Sequence, residues 1–460
     1  MKKIAALTIL MSMMTMNVTP VLAVENQPKQ FKSMAVKSKV SDDYKYAYVN
    51  LNWWDNFNDD ILNGYIEKAI LNNHDLKMAT INVDEYYQNV KLQFSQELPT
   101  ASVGLTSAYA KLPAMMGGEK QWNFVAPAMA SYEFDLFLKN RDKTKAVKKL
   151  HEASKFDERA AYISVASAVG ATYLNIAKLD KIINLQEEIV ASRKTIHDLM
   201  LLRNIEGITS TADTVKANKA YMAGSSDLLE LKKQREKLLN QLAVLIGESP
   251  ENSKELARTD LDKISYGAKI PEAIASEVIT QRPDYLKAEK MVEKAGIDVR
   301  VAKKEFLPTL SLNGIALFNA SNFGSLLTTS NALAALAGGA TLPLFTGGAR
   351  VANLKLKKDQ YERILQNYYK TNITAIQEVN DAMTAIRLDE EKMNLTAKQT
   401  DLEAKDYKFN ESRYNQGVIS KLDLIQLKEN LLVMDKLLAS QKTECLVDYI
   451  GLYKATGTKL

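Results

Sequence analysis

The residues best placed to act together occur in two matched sets. RNIEGITSTAD (Arg203 to Asp213) returns 210 positions later as RYNQGVISKLD (Arg413 to Asp423), so Arg203, Gly207, Ser210 and Asp213 match Arg413, Gly417, Ser420 and Asp423. A glycine free to take positive φ ends one helix, and a serine with an aspartate three positions on caps the next. The flanking arginines and aspartates carry opposite charge, so they can also link neighbouring hairpins. Tyr414 follows the second arginine where Asn204 follows the first, so the two turns present different surfaces. This is the chemistry of turns and contacts, not of bond making. The three histidines, His74, His151 and His197, stand at no ligand spacing with another His or Cys. Gly338-Gly339 and Gly347-Gly348 border strands rather than a phosphate-binding loop. The many helix carboxylates read as solvated faces. No catalytic residue, metal or cofactor is expected, and the chain does not read as an enzyme.

Long helices must carry these turns. Lys139 to Leu202 has no proline and only Gly170 as a breaker, which at 1.5 Å per residue spans about 95 Å. Gly348 to Arg413 has no proline either, and each stretch is followed by a second helix, near Ser210–Ile246 and Ser420–Thr456. Ile182, Leu185, Ile189, Ser192, Ile196 and Leu199 step by three and four; so do the series from Leu228 to Leu245 and from Leu424 to Cys445. Such seams predict side-by-side coiled-coil packing in an elongated bundle; ordinary amphipathic helices in a bent bundle are the alternative. Ala160 to Ala177 is uncharged but sits inside a strongly helical stretch, so it reads as a tight helix contact rather than a membrane span.

Phe306 to Ala349 is different: 44 residues without a charge, of which 21 are Ser, Thr, Asn, Gly or Pro. That content is costly in a helix, so two strands with a turn are expected rather than a pair of membrane helices. Leu310, Leu312, Gly314, Ala316 and Phe318 share one face, and Thr309, Ser311 and Asn313 the other, an alternation that fades at Ile315 and Leu317. A weaker alternation runs from Trp122 to Phe134, and Trp122 fits either an interfacial aromatic belt or ordinary packing. Further echoes pair Leu98-Pro99-Thr100 with Leu307-Pro308-Thr309, Asp135-Leu136-Phe137 with Pro343-Leu344-Phe345, and Gly247 with Gly457. The expected organisation is a signal peptide (1–23), an extended segment (24–52), a first repeat (53–257; strands near 98–112 and 122–137, helical hairpin 139–246), a linker (258–270) and a second repeat (271–460; strands near 306–319 and 332–346, hairpin 348–456). Four strands per chain cannot close a barrel, and lipid leaves no edge satisfied. Several chains must therefore share one barrel, eight strands in a dimer or twelve in a trimer.

The signal rests on Lys2-Lys3, an apolar run from Ile4 to Met16 and a small-residue site at Val21-Leu22-Ala23. An uncleaved membrane anchor would need a longer run. Cys445 is the single cysteine, so no intramolecular disulfide forms, and no cysteine near the cleavage site is available for a lipid anchor. Charge is nearly balanced, with 60 Lys and Arg against 55 Asp and Glu, and no basic cluster with interleaved aromatics suggests nucleic acid.

Several segments together resemble a known family. These are WWDNFND (Trp53 to Asp59), LNNHDLKMA (Leu71 to Ala79), QRPDYLKAE (Gln281 to Glu289), AKKEFLPTLSL (Ala302 to Leu312), LPLFTGGAR (Leu342 to Arg350) and RYNQGVISKLDLI (Arg413 to Ile425). The chain resembles TolC-like outer-membrane efflux proteins, nearest the NodT/OprM-like components of tripartite multidrug pumps. The resemblance implies a mixed α/β membrane protein: a homotrimer whose 12-stranded transmembrane β-barrel continues into a long periplasmic α-helical barrel. It implies a gate and adaptor-contact surface at the helix tips, on Arg203, Gly207, Ser210, Asp213, Arg413, Tyr414, Gly417, Ser420 and Asp423. It also implies outer-membrane lipid, a periplasmic adaptor and an inner-membrane transporter of RND type as partners, with drugs or other small molecules as cargo. Many relatives nearest these motifs carry a lipid-modified cysteine at the mature N-terminus, absent here. Some carry a second carboxylate where this chain has Gln426. An exit duct for type I protein secretion and a secreted coiled-coil structural protein remain the alternative readings.

Overall fold

A computed structural model describes residues 53–111, 120–268, 270, 274 and 276–457. The expected signal peptide and extended segment, and the end of the first expected strand, lie outside the described residues. Helix α1 (Asp60–Asn72) is capped by Asp59, whose carboxylate accepts from the N–H groups of Ile61 and Leu62. Asn73 caps α2 (His74–Ser95) in the same way. After the first strands, α3 (Lys139–Ile205) runs unbroken for 67 residues, roughly 100 Å, and turns into α4 (Thr211–Leu245). Helix α5 (Pro283–Lys304) leads to the later strands, and α6 (Ala349–Asn415), again 67 residues, turns into α7 (Lys421–Thr456). The residue before each long helix is left-handed: Gly348 at φ 82° and, at the matching place, Leu138 at φ 57°. Glycine takes that conformation freely, whereas Leu138 holds it at a cost.

The uncharged segment forms strands, not helices. Strands β1 (Thr100–Val103), β2 (Thr106–Lys111), β3 (Lys120–Phe134), β4 (Thr309–Ala320) and β5 (Ala332–Thr341) make one antiparallel sheet. β1 and β2 both pair with β3, in one continuous register. They are interrupted opposite Pro127, which has no N–H to return; Gly104 still donates to the Pro127 carbonyl at 2.8 Å. The sheet is therefore four strands wide, with β3 and β4 joining the two halves of the sequence at its centre. β3 stops at Phe134, short of the 137 expected, because the Asp135 carboxylate turns to accept from Asn140 and Arg141 N–H at the start of α3. β5 stops at Thr341, before the positive-φ pair Gly347-Gly348.

Register puts Trp122, Phe124, Ala126, Ala128, Ala130, Tyr132 and Phe134 on the same face as Leu310, Leu312, Gly314, Ala316 and Phe318. The opposite face carries Asn123, Ser131, Glu133, Ser311 and Asn313, with Ser131 donating to Asn313 at 2.9 Å. One face is thus largely apolar with aromatics towards both ends; the other is polar towards its ends but carries Val125, Pro127, Met129, Ile315 and Leu317 across its middle.

The core lies midway along the helices. Trp53, Trp54, Phe57, Leu62 and Ile66 pack there against Val169, Tyr173 and Ile176 of α3, Leu242 and Ile246 at the end of α4, and Ile450 and Tyr453 of α7. Ala160–Ala177 of α3 supplies much of this core, so its apolar window is consumed by packing. Gly170 is needed for the close approach: a Cβ there would sit 2.9 Å from Ile450 and 3.1 Å from Trp53. Arg282 binds the later half together: its guanidinium reaches the Ala455 carbonyl, Asp284 and Glu378, joining α5, α6 and α7.

Candidate functional site: the hairpin tips and the links above them

Each tip folds as its sequence predicts. At the first, Gly207 (φ 73°) donates to the Asn204 carbonyl at 3.0 Å and Ile208 N–H to that of Arg203 at 2.8 Å. At the second, Gly417 (φ 77°) donates to Tyr414 and Val418 to Arg413, at 2.8 and 2.9 Å. These are paired Schellman closures, which satisfy the last carbonyls of α3 and α6. Ser210 and Ser420 then cap α4 and α7, accepting from Asp213 and Asp423 N–H at 3.1 and 3.2 Å. Each serine hydroxyl donates back to its aspartate carboxylate at 2.7 Å, and Ser420 N–H also reaches Asp423, completing a capping box.

Within one chain the two aspartates are thus held by their own turns. Among the described ion pairs, neither Arg203 nor Arg413 meets Asp213 or Asp423; Arg413 instead donates to Asn410 at 3.2 Å and lies over the Phe409 ring. The first tip differs from the second through Asn204, whose amide donates to the Thr209 carbonyl at 2.8 Å. Tyr414, at the matching place, is half-buried.

Two features at this end were not read from the sequence. One is the apolar surface of the tips, where Leu202, Ile205, Ile208 and Val418 are all well exposed. A heptad reading assigns such residues to seams and leaves those beyond the last heptad unassigned. The other is a polar bracket about three turns above the tips. Arg193 on α3 donates to Glu429 on α7 from Nε at 2.8 Å, and to the Ala220 carbonyl of α4 at 3.2 Å. Gln186 of α3 donates to the Gly224 carbonyl at 3.0 Å and accepts from Lys436 of α7 at 2.7 Å. Glu429 and Gln186 are buried, so three helices are joined through desolvated polar groups. Burial also lowers the Lys436 pKa. Gly224 keeps the helices close, since a Cβ there would lie 3.2 Å from the Arg193 guanidinium. α6 takes no part, and its lower half buries only Ile386, Thr396, Thr400 and Asn410. The arrangement is an anchored α7 beside a helix whose outer face is unclaimed within the chain.

The profile of a family described as outer membrane efflux protein matches residues 65–248 and, separately, 274–458. The probable efflux pump outer membrane protein TtgC of Pseudomonas putida is 25% identical over 411 residues, covering 88% of this chain and 84% of that protein. The cation efflux system protein CusC of Escherichia coli is 24% identical over 415 residues, with 89% of each covered. The solved structure of the Campylobacter jejuni CmeC outer membrane channel superposes with a TM-score of 0.80 at 26% identity, over 89% of this chain and 88% of that one.

Proposed function

The chain belongs to the outer membrane efflux protein family, and from that premise we propose that three copies close into one duct that carries drugs or other small molecules out of the cell. The carrying observation is the four-stranded sheet, largely apolar on one face and on the other bearing the polar residues Asn123, Ser131, Glu133, Ser311 and Asn313 around an apolar middle, with β5 free along one edge and β1–β2 along the other. Lipid cannot satisfy such edges, so β5 of one copy must pair with β1–β2 of the next. Two copies would make eight strands, an interior filled by side chains; three make twelve, wide enough for a water-filled lumen lined by the polar face.

The helices support the same closure. Leu388, Leu395, Leu402 and Phe409 stand exposed at seven-residue spacing on α6, as do Val215, Met222 and Leu229 on α4. Exposed heptad stripes of this length call for partner helices, and a neighbouring copy provides them. The hairpin tips are then the periplasmic end, where Arg203 and Arg413 approach the Asp213 and Asp423 of neighbouring copies and hold the resting duct narrow. A periplasmic adaptor docks on these tips and competes for the links, and an inner-membrane transporter of RND type supplies the energy.

Heat-modifiable mobility in detergent should show a trimer. Deletion of the gene should raise drug susceptibility, whereas lost secretion of a protein with unchanged susceptibility would transfer the chain to protein export. Asp423→Ala and Arg413→Ala should raise single-channel conductance; unchanged conductance in both removes the proposed tip links.

A further inference from the structure

The charge of this protein is concentrated at one end of its helices. The last ten residues of α2 and α5 and the first ten of α3 and α6, which adjoin the sheet, hold 13 Lys and Arg against 2 Asp. The connectors between them and the strands add Glu97, Asp135 and Glu305. The same window at the opposite tips holds 7 cations and 6 carboxylates, with Glu206 in a connector. The excess at the sheet end exceeds that of the whole chain, which is +5.

This end also has a rigid base. Asp142, buried at the start of α3, accepts from Arg300 at 2.9 Å and Lys304 at 2.7 Å, clamping α3 to α5. Around that clamp, Arg141, Lys143, Lys148, Lys303, Lys355 and Lys358 have no side-chain acceptor among the described contacts. Between the cations and the strands the connectors expose Leu136, Leu344 and Phe345, the last two about nine-tenths accessible. Apolar and aromatic residues directly below a sheet whose charges are confined to Lys111 and Lys120 at one end and Glu133 at the other, followed by unpartnered cations within a turn or two, reproduce the layering of acyl chains and headgroups.

We propose that this basic collar binds the phosphate groups of anionic phospholipids in the periplasmic leaflet of the outer membrane, fixing the depth of the barrel. The inference rests on the outer-membrane channel reading and adds a lipid class to it. Each cation at an anionic surface contributes roughly fivefold in affinity. Six of them act on several lipids, so selection between headgroups should be large.

The full chain in non-ionic detergent is titrated with phosphatidylglycerol or phosphatidylcholine of identical acyl chains, and bound lipid is counted by native mass spectrometry. Wild type should retain phosphatidylglycerol at least tenfold better. A collar variant (Arg141→Gln, Lys143→Gln, Lys148→Gln, Lys303→Gln, Lys355→Gln, Lys358→Gln) should fall to parity. A tip variant (Lys216→Gln, Lys219→Gln, Lys408→Gln, Lys421→Gln) should keep the preference. Equal retention of both lipids by wild type, an unchanged collar variant, or equal loss in the tip variant overturns the proposal. The wild-type preference should also shrink between about 50 and 500 mM salt, as screening requires; a salt-independent preference overturns the proposal without recourse to any variant. Wild-type conductance in planar bilayers tests the channel reading separately from the lipid result.

Discussion

The Arg193–Glu429 link offers the sharpest test of how the hairpins are held. Two of the guanidinium's N–H groups converge on one carboxylate oxygen, at 2.8 Å from Nε and 2.5 Å from Nη2. The gross attraction at 2.8 Å is about 6 kcal/mol at an effective dielectric of 20. Desolvating a carboxylate that is only 11% exposed returns much of this, leaving a net contribution of about 2 kcal/mol. The two truncations should differ. Arg193→Ala strands a buried carboxylate and should cost about 3 kcal/mol. Glu429→Ala leaves an arginine that is 26% exposed and still bonded to the Ala220 carbonyl, so its cost should be about 1.5 kcal/mol. In a fold of roughly 400 ordered residues, 1 kcal/mol shifts Tm by about 1 °C. Thermal unfolding in detergent should therefore place Arg193→Ala about 3–4 °C below wild type and Glu429→Ala about 2 °C below. The double truncation should fall short of the sum by the coupling energy. Since α7 is tied to α3 here and α6 is not, conductance should rise in the same rank order. Equal costs for the two single variants, strict additivity in the double, or a conductance indifferent to both would refute the reasoning.

Arg282→Ala should destabilise by about 3 kcal/mol, because it frees the last turn of α7 and leaves Asp284 and Glu378 without their shared cation. Arg282→Lys should restore only part of this, since a lysine cannot fork; the yield of heat-modifiable oligomer is the readout. Asp448 is pushed up to about 7 by burial first, then by its hydrogen bond to Asp389 and the charges of Asp389 and Glu444. Its folded form keeps a proton that the unfolded chain, near 4, has lost, so stability should fall as pH rises from about 4 to 7 and then level. Asp448→Asn should flatten that segment of the Tm–pH curve. Gly170→Val should lower Tm by overpacking against Ile450 and Trp53, at about 1–3 kcal/mol. Gly417→Ala meets no neighbour within 4 Å, so it should cost only the left-handed backbone penalty, about 1 kcal/mol by denaturant unfolding, with conductance unchanged.

Much of the fold is local and therefore legible in one dimension. A long proline-free stretch must be helix, Gly207-x-x-Ser210 and Gly417-x-x-Ser420 must be turns, and 44 uncharged residues rich in small and β-tolerant types must be strands. Those outcomes depend on backbone propensity and on contacts within a few positions. The reach of β3 was less legible, because its end is set by competition: Asp135 serves the start of α3 rather than extending the strand. The break between β1 and β2 is imposed from the partner strand by Pro127, beyond the reach of any periodicity within 98–112.

The charges at the tips show the division most clearly. By itself, the sequence determined that Arg203, Asp213, Arg413 and Asp423 flank two equivalent turns, since spacing along a helix fixes where side chains stand. Only the tertiary structure decided that within one chain each aspartate is held by its own serine, and that the hairpins are instead joined by Arg193 with Glu429, 236 positions apart, and by Lys428 with Glu188. Likewise, only folding placed Arg282 on the Ala455 carbonyl and joined the two halves through β3 and β4. Such pairings depend on which faces meet across more than a hundred residues, and hydrophobic spacing records which face is buried but not what covers it.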